Sequence, residues 1–197
     1  MTARTKATPR LTFAPVTAER WSDFESLFGD RGACGGCWCM HWRQSSAEYD
    51  KCKGAANKRK MKKLITSGQV PGILAYAKNA GRATVAGWCS VGPRQEFTRL
   101  ERSRNLRPID DQPVWSIVCL FVDKEYRGRG VGGQLIKAAA EYAASQGAAI
   151  VEGYPFEPDK KWADAFVWTG TVSAYKKAGF REAARYSPKR PIMRKRV

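Results

Sequence analysis

One stretch of the sequence limits the fold more than any other, because it joins a buried strand to a helix. It begins with the apolar run Val114–Val122, which is typical of a strand covered on both faces. This run is about half as long as the roughly 20 residues that a membrane-spanning helix needs. A helix pattern follows over Gly130–Gln146, ends at Gly147 and leads to a second apolar strand, Ala148–Tyr154. A strand–helix–strand crossover of this kind predicts an α/β protein.

Shorter patterns predict the elements around this unit. Ser45 and Glu48 have capping-box spacing, which predicts one helix from there to about Ser67. Asn79-Ala-Gly81 predicts a hairpin turn between two strands. The predicted order of elements is β-α-α-β-β-β-α-β-α-β-β. The other predicted strands are Arg10–Val16, Gly72–Lys78, Arg82–Val91, Phe180–Tyr186 and Ile192–Val197, and the other predicted helices begin at Thr17 and Thr171.

The length of the chain, 197 residues, fits one domain. We expect a flexible basic arm over residues 1–9 and a single domain over residues 10–197. A chain of this size buries about 70% of its unfolded surface, so it needs no disulfide or metal in order to fold. The basic N-terminus is not followed by a hydrophobic stretch. We therefore expect no secretory signal, no membrane segment and a cytoplasmic location.

The charge of the chain is strongly positive. Thirty-five Lys and Arg residues stand against 18 Asp and Glu, a net charge of +17. Such a surplus favours an anionic partner: nucleic acid, a membrane surface or a phosphate-rich ligand. The basic residues concentrate in Lys51–Lys63 and in five arginines between residues 94 and 107. They predict either one surface for an anionic partner such as RNA or the ribosome, or an ordinary solvated helix face.

The turn after the first apolar strand has the composition of a phosphate-binding loop. It reads Arg127-Gly-Arg-Gly-Val-Gly132 and opens the predicted helix. Glycines let the backbone approach a ligand, the helix amides and dipole attract phosphate, and Arg127 and Arg129 add positive charge. The pattern is not a Walker loop, because no Gly-Lys-Ser/Thr follows. It is not a dinucleotide-binding loop either, because such a loop normally follows the first strand of its fold.

Two blocks of residues resemble the GNAT superfamily of acyl-CoA-dependent N-acyltransferases. The first is the Arg-x-x-Gly-x-Gly pattern of Arg127, Gly130 and Gly132 behind a hydrophobic strand. The second is Tyr175 followed by Gly179-Phe180 at the last helix. The resemblance is clear over residues 72–197 and extends to the earlier elements by their order. The two blocks together are specific to the superfamily.

This resemblance implies a fold, a cosubstrate and a set of binding residues. It implies a mostly antiparallel central sheet, flanked by helices, in which one parallel strand pair, Ile117–Val122 and Ala149–Tyr154, splays apart. The pantetheine arm of acetyl-CoA is expected in that gap, and an amine acceptor attacks the thioester directly in a ternary complex. The activity it implies is that of an N-acetyltransferase. The cofactor-binding residues that the resemblance implies are Leu120, Phe121, Val122, Arg127, Gly128, Arg129, Gly130, Val131, Gly132 and Gly133.

Two residues are the catalytic candidates. The resemblance makes Tyr175 the general acid that protonates the leaving thiolate, and a core tyrosine is the alternative. Glu152 is the candidate general base, because it is a charged residue in an otherwise apolar strand expected beside the acyl site. A solvated, outward-facing position is the alternative for Glu152. The acidic residues between positions 152 and 164 are expected to attract a cationic amine.

A cluster of Cys34, Cys37, Cys39 and His41 suggests zinc, because four such ligands can form a tetrahedral site. Their crowded spacing lacks the longer loop that usually separates two ligand pairs, so we expect no metal. The expected alternative is a rigid loop whose Trp38, Met40 and Trp42 pack over the acceptor cleft, and a redox-sensitive thiol pair is a further one. The absence of an export signal predicts that the six cysteines are reduced.

Two classes of function follow from the sequence. The first is an acetyl-CoA-dependent N-acetyltransferase acting on a primary amine. The alternative is a nucleic-acid- or ribosome-associated binding protein on a GNAT scaffold, which the positive charge favours. Saturable CoA binding would indicate the first class, and polyanion binding alone, with a steep salt dependence, the second. The acceptor amine, the acyl-chain preference and the choice between a monomer and a homodimer stay open.

Overall fold

A computed structural model describes residues 8–79, 82–157 and 167–197. Its seven strands form one sheet in the order β1-β2-β3-β4-β5-β7-β6. The β4–β5 pair is parallel and the other neighbouring pairs are antiparallel. The strands are β1 Leu11–Pro15, β2 Gly72–Asn79, β3 Arg82–Pro93, β4 Trp115–Val122, β5 Ile150–Gly153, β6 Arg181–Arg185 and β7 Pro191–Arg196.

Helices cover both faces of this sheet, and the predicted α/β class with one parallel strand pair is confirmed. The longest helix, α5, connects β4 to β5 as the predicted crossover. The helices are α1 Trp21–Phe28, α2 Ser46–Cys52, α3 Ala55–Thr66, α4 Thr98–Glu101, α5 Val131–Ser145 and α6 Val172–Lys177. Within the described residues, no helix is long and apolar enough to cross a membrane.

Three groups of buried side chains divide the core. The first joins α5 and α6 to one face of the sheet, and it includes Ile117 and Leu120 of β4. The second lies under α1 and α3 around Trp88. The third surrounds Val118 and Tyr154 and includes Phe97 and Leu100. Because neighbouring strand residues point to opposite faces, the second and third groups cover the face away from α5.

The helix predicted from Ser45 to Ser67 is two helices, so that prediction is wrong in its middle. Its start is confirmed, since the Ser45 hydroxyl accepts a hydrogen bond from the Glu48 backbone N–H (3.3 Å). The helix breaks at Gly54, whose φ is +80°, a conformation that L-residues rarely adopt. The Gly54 N–H donates to the Gly36 carbonyl (2.9 Å), which fastens the break to the cysteine-rich loop.

Candidate active site

The predicted phosphate-binding loop leads directly from β4 into α5. Gly130 precedes the helix with φ +75°, and no side chain caps the helix there. A Cβ atom at Gly132 or Gly133 would meet no atom within 4 Å, so the first turn is open on that side. The first N–H groups of a 15-residue helix with no side-chain cap form a ready site for an anion. Arg127 folds back and donates from Nε to the Val122 carbonyl (2.9 Å).

A β-bulge opens a gap between β4 and β5. The β3–β4 register shifts so that Cys119 and Ile117 have partners in β3 while Val118 is an extra residue. A bulge of this kind bends its strand. The parallel β4–β5 pairing ends at the same place, at Ile117 and Gly153, while β4 continues beside β3 to Val122. The strands therefore diverge from Val118 onward.

The segment that follows β5 along the chain crosses this gap at Leu120. The Leu120 N–H donates to the Trp168 carbonyl (2.6 Å). A Cβ at Gly170 would lie 2.9 Å from Leu120 Cδ1 and 3.0 Å from Tyr175 Cε2, so a residue without a side chain is required there. The backbone N–H of Leu120, one of the groups that the resemblance assigns to acetyl-CoA, thus already has a hydrogen-bond partner within the protein.

Tyr175 lies at the same gap. It is 0% exposed, and its ring packs edge-on against Phe180 with 5.2 Å between ring centroids. The ring also fills the space beside Gly153, where a Cβ would lie 2.0 Å from Tyr175 Cε1. Among the described residues the hydroxyl has no hydrogen-bond partner, and burial raises its pKa well above its ordinary value. It is therefore a protonated donor without an acceptor, as a proton donor to a ligand would be.

Glu152 is held in a buried ionic network. It is 1% exposed, so the solvated position considered from the sequence is wrong. Its Oε1 accepts from Nε and Nη2 of Arg194 (2.9 and 2.7 Å), and its Oε2 accepts from the Tyr154 hydroxyl (2.9 Å). Arg94 Nη1 lies 3.7 Å from Oε2. Two guanidinium groups thus stabilise the charge of this carboxylate.

The network extends from Glu152 to the surface through Arg194. This side chain also donates to both oxygens of Asp110 (2.6 and 3.1 Å). The hydrogen bonds from Arg194 lower the pKa of Asp110 to about 2. Glu152 and Asp110 therefore share one guanidinium, and the strand β5 is linked through it to β7.

The face of the sheet away from α5 carries a cavity of about 430 Å³. Its wall contains two guanidinium groups, three hydroxyls and one indole, contributed by Trp42, Ser45, Ser46, Arg99, Arg102 and Ser103. The Trp42 ring contacts the Trp168 ring, with 5.9 Å between centroids. The backbone carbonyl of Trp168 also accepts the hydrogen bond from Leu120 of β4. Trp168 therefore lies between the cavity wall at Trp42 and the gap.

The cysteine-rich loop does not gather its ligands into one site. Cys34 is exposed, whereas Cys39 is buried and accepts a hydrogen bond from the Trp88 indole (3.1 Å). His41 instead packs edge-on against Trp168 (5.1 Å). In residues 8–79, 82–157 and 167–197, no three His, Cys, Asp or Glu side chains are grouped so that they could hold a metal ion.

A model of the acetyltransferase (GNAT) family matches residues 38–166. The chain belongs to the GNAT family. It also resembles an uncharacterized N-acetyltransferase of Methanocaldococcus jannaschii, with 38% identity over 74 residues. The matched segment is 38% of this chain and spans 29% of that relative's length. The resemblance derived from the two sequence blocks is confirmed at the level of the family.

Solved GNAT structures share the fold of this GNAT chain. A GNAT acetyltransferase from Listeria monocytogenes superposes with a TM-score of 0.57 at 10% identity, over 95% of each chain. The PaiA N-acetyltransferase of Thermoplasma acidophilum, solved with coenzyme A, superposes with a TM-score of 0.51 at 14% identity. That alignment covers 95% of this chain and 99% of the other. At these identities the likeness concerns the fold.

The structure places the predicted site residues of this GNAT chain in two groups. The residues from Leu120 to Gly133 and Tyr175 lie around the gap and the start of α5, and their roles stay predictions. Glu152 projects to the opposite face, into the group of Tyr154. Tyr175 lies outside the segment that the family model matches.

Sequence reasoning missed the bulge at Val118 and the cavity at Arg99. The five arginines between residues 94 and 107 do not form one surface, because Arg94 is buried beside Glu152. Arg107 stacks on Tyr186, 3.6 Å from the ring centroid. The predicted hairpin turn at residues 80–81, most of the basic arm, and Asp159 and Asp164 of the acidic segment lie outside the described residues.

Proposed function

We propose that this chain is an acetyl-CoA-dependent N-acetyltransferase that moves an acetyl group to a primary amine by direct attack in a ternary complex. The observation that carries this proposal is the open first turn of α5 directly behind the strand that diverges at Val118. Tyr175, with its unpaired hydroxyl, lies at that divergence. PaiA, solved with coenzyme A, has the same fold, which supports this reading of the loop.

The residues of the chain have distinct tasks in this proposal. Acetyl-CoA supplies an activated thioester. The amides at the start of α5, with Arg127 and Arg129, bind its phosphates, and the glycines leave room for them. The backbone of β4 from Leu120 to Val122 holds the arm, so the hydrogen bond between Leu120 and Trp168 has to be replaced. Tyr175 donates its proton to the leaving thiolate.

The role of Glu152 as general base stays a prediction. Its contacts argue against direct proton transfer, because protonation would weaken the hydrogen bonds from Arg194 and add a proton where Tyr154 already donates. A base reached through ordered water is the alternative route for an amine that must lose a proton before attack. A pH–rate profile of Glu152→Gln, recorded under conditions where circular dichroism shows the variant to be folded, separates the two routes. If Glu152 is the direct base, the variant loses most rate at low pH, where little of the amine is already neutral.

The other predictions about partners and location stay proposals. The relatives reported above do not support the alternative of a nucleic-acid- or ribosome-binding scaffold. In the described structure, part of the positive charge of the basic helix α3 is neutralised by intramolecular salt bridges, because Lys58 pairs with Glu25 and Lys60 with Glu48. A cytoplasmic location and a possible homodimer remain predictions from the sequence.

An acceptor-panel assay that follows CoA release tests the proposed function. The panel contains amines, amino acids, polyamines and peptide N-termini at fixed acetyl-CoA. Release above the acceptor-free rate, with the mass of the acceptor raised by one acetyl group, is the expected result. Absence of saturable acetyl-CoA binding, measured separately by calorimetry, would contradict the proposal whatever the acceptor.

A further inference from the structure

We propose that the cavity at Trp42 and Arg99 binds an anionic group of the acceptor, so that the acceptor is an amine that also carries a carboxylate or a phosphate. This inference rests on the proposed function and names the substrate class of the same site. It departs from the sequence-based expectation of a purely cationic amine drawn by acidic residues.

The charge of the cavity wall favours an anion. Two of its six lining residues, Arg99 and Arg102, are cationic, and none of the six carries a carboxylate. In the described part of the chain, no carboxylate lies within 4.0 Å of either guanidinium. Asp50, whose pKa is lowered mainly by a hydrogen bond from Lys53 and to a smaller extent by the charge of Arg99, pairs with Lys53 (2.8 Å) and does not line the cavity. The two charges therefore have no neutralising partner within the cavity.

Arg99 is held in place before any ligand binds. Its Nε donates to the Gln44 carbonyl (3.4 Å), and its Nη1 lies 3.2 Å from Nε2 of His41. The Tyr49 ring lies below the guanidinium, with 5.3 Å from Cζ to the ring centroid. A fixed guanidinium loses little freedom on binding, and its planar fork fits a carboxylate or a phosphate.

Unpaired polar atoms concentrate around this guanidinium. Arg99 Nη2, the Trp42 indole N–H and both ends of the Gln44 side-chain amide are buried and have no hydrogen-bond partner among the described residues. Buried polar groups are almost always paired in native proteins, with protein, water or a bound ligand. Trp42 and Arg99 line the cavity, and Gln44 directly precedes Ser45 of its wall, so unpaired polar groups lie next to the space where an anion would bind.

The position of the cavity fits an acceptor. It lies on the face of the sheet away from α5, and Trp42 joins it to Trp168, which bonds to Leu120 at the gap. The cosubstrate loop at α5 and this cavity thus reach the gap from opposite faces. An amine anchored by its anionic group at Arg99 would therefore approach the gap from the face opposite to the cosubstrate.

Matched acceptor pairs test the substrate class. We compare L-phenylalanine with 2-phenylethylamine for the carboxylate, and O-phosphoethanolamine with ethanolamine for the phosphate, in the CoA-release assay. In at least one pair, the member that carries the carboxylate or phosphate should have a kcat/KM about tenfold or more above the partner that lacks this group. Arg99→Gln and Arg102→Gln should remove that preference, and Arg104→Gln, an exposed arginine outside the cavity, should keep it. A preference in both pairs for the amine that lacks the carboxylate or phosphate would overturn the proposal.

A binding measurement makes the test independent of turnover. Inorganic phosphate is titrated into protein saturated with CoA, and the Trp42 indole N–H resonance, assigned with Trp42→Phe, is followed. Saturable binding that weakens about tenfold or more in Arg102→Gln, whose side chain is exposed and not needed for folding, but not in Arg104→Gln, supports the site. No saturable shift, or equal affinity in the three proteins, overturns it. Calorimetry with acetyl-CoA on the same samples reports separately whether the proposed function fails.

Discussion

Two buried tyrosines near the gap differ in the state of their hydroxyls. The Tyr154 hydroxyl lies 2.8 Å from Ser116 Oγ and donates to Glu152. The Tyr175 hydroxyl has no partner in the described structure. An unpaired buried hydroxyl lowers stability, so its retention needs a reason other than packing. A role in proton transfer at the gap would be such a reason. A purely structural role, like that of the hydrogen-bonded Tyr154, would not explain a hydroxyl without a partner.

Replacing Tyr175 by phenylalanine should therefore separate catalysis from stability. The ring of Tyr175→Phe still fills the space beside Gly153, and no hydrogen bond is lost. We expect turnover to fall about 10²–10⁴-fold while the acetyl-CoA affinity changes little, because only the proton donor is removed. Tyr142→Phe, on the outer part of α5, is the control and should keep wild-type turnover. Turnover of Tyr175→Phe within a factor of two of wild type would make Tyr175 a core residue.

Single residues could be predicted where their role follows from a pattern in the neighbouring sequence. They could not be predicted where their role depends on contacts with residues that are distant in the sequence. Gly130 and Gly132 are predicted because a glycine-rich helix start has a recognisable spacing. Arg99 is missed because its importance comes from His41 and Tyr49, which are distant in sequence and surround one guanidinium. Arg102, Arg104 and Arg107 follow it closely in the sequence, and nothing there marks Arg99 as the arginine that is fixed at a cavity.

At the scale of elements, β5 depends on the ionic network as much as on its apolar side chains. It has four residues, and Glu152 places a carboxylate within the buried core. Arg194 of β7 and Arg94 compensate that charge. A buried carboxylate is tolerated when its partners are present, and removing it weakens the network even though Arg94 keeps Glu101 and Arg194 keeps Asp110.

Glu152→Gln should be strongly destabilising for this reason. The amide cannot neutralise Arg94 and Arg194, which keep only Glu101 and Asp110 at the edge of the network. We expect the free energy of unfolding to fall by up to about 3–5 kcal/mol in urea denaturation. Glu157→Gln is the matched control, because Glu157 pairs with Arg185 at the surface and its loss should cost about 1 kcal/mol or less. Equal effects of the two substitutions would show that the network does not hold β5.

Most elements could be predicted from the sequence, and the exceptions have tertiary causes. The Ser45 cap and the Gly147 stop mark helix ends through local chemistry. The break at Gly54 is missed because the basic pattern continues through it, and because its cause is a hydrogen bond to Gly36, a contact far along the chain. The bulge at Val118 could not be predicted from the sequence. Both faces of β4 are covered there, so the residues are apolar on either side and the change of register does not alter the pattern.

At the scale of the whole molecule, the chain has a single histidine. His41 is partly buried between aromatic rings and lies beside Arg99. Burial, followed by the charge of Arg99, lowers the pKa of His41 to about 4. The folded protein therefore keeps this imidazole neutral at a pH where the unfolded chain protonates it. His41 therefore contributes to the pH dependence of stability below about pH 7.

We expect the protein to lose stability as the pH falls from about 7 to 5. The folded pKa of His41 lies below its unfolded value, so the unfolded state binds the extra proton in that window and is favoured. Thermal unfolding at both pH values measures the loss, which His41→Gln should reduce. Asp110→Asn is the contrast, since its lowered pKa adds stability that is lost only between about pH 4 and pH 2. An unchanged pH dependence in His41→Gln would contradict the assignment.

Calorimetric titration of acetyl-CoA into wild type, Gly132→Ala and Gly132→Asp tests the central claim most directly. A Cβ at Gly132 meets open space, and an acidic residue in the first turn of a helix is favourable, so both variants should fold as well as wild type. The aspartate, however, places a negative charge where phosphate would bind. We predict that Gly132→Asp weakens acetyl-CoA binding about 100-fold or more, while Gly132→Ala stays within about tenfold of wild type. Equal affinity of Gly132→Asp and wild type would contradict the assignment of the α5 loop as the cosubstrate site.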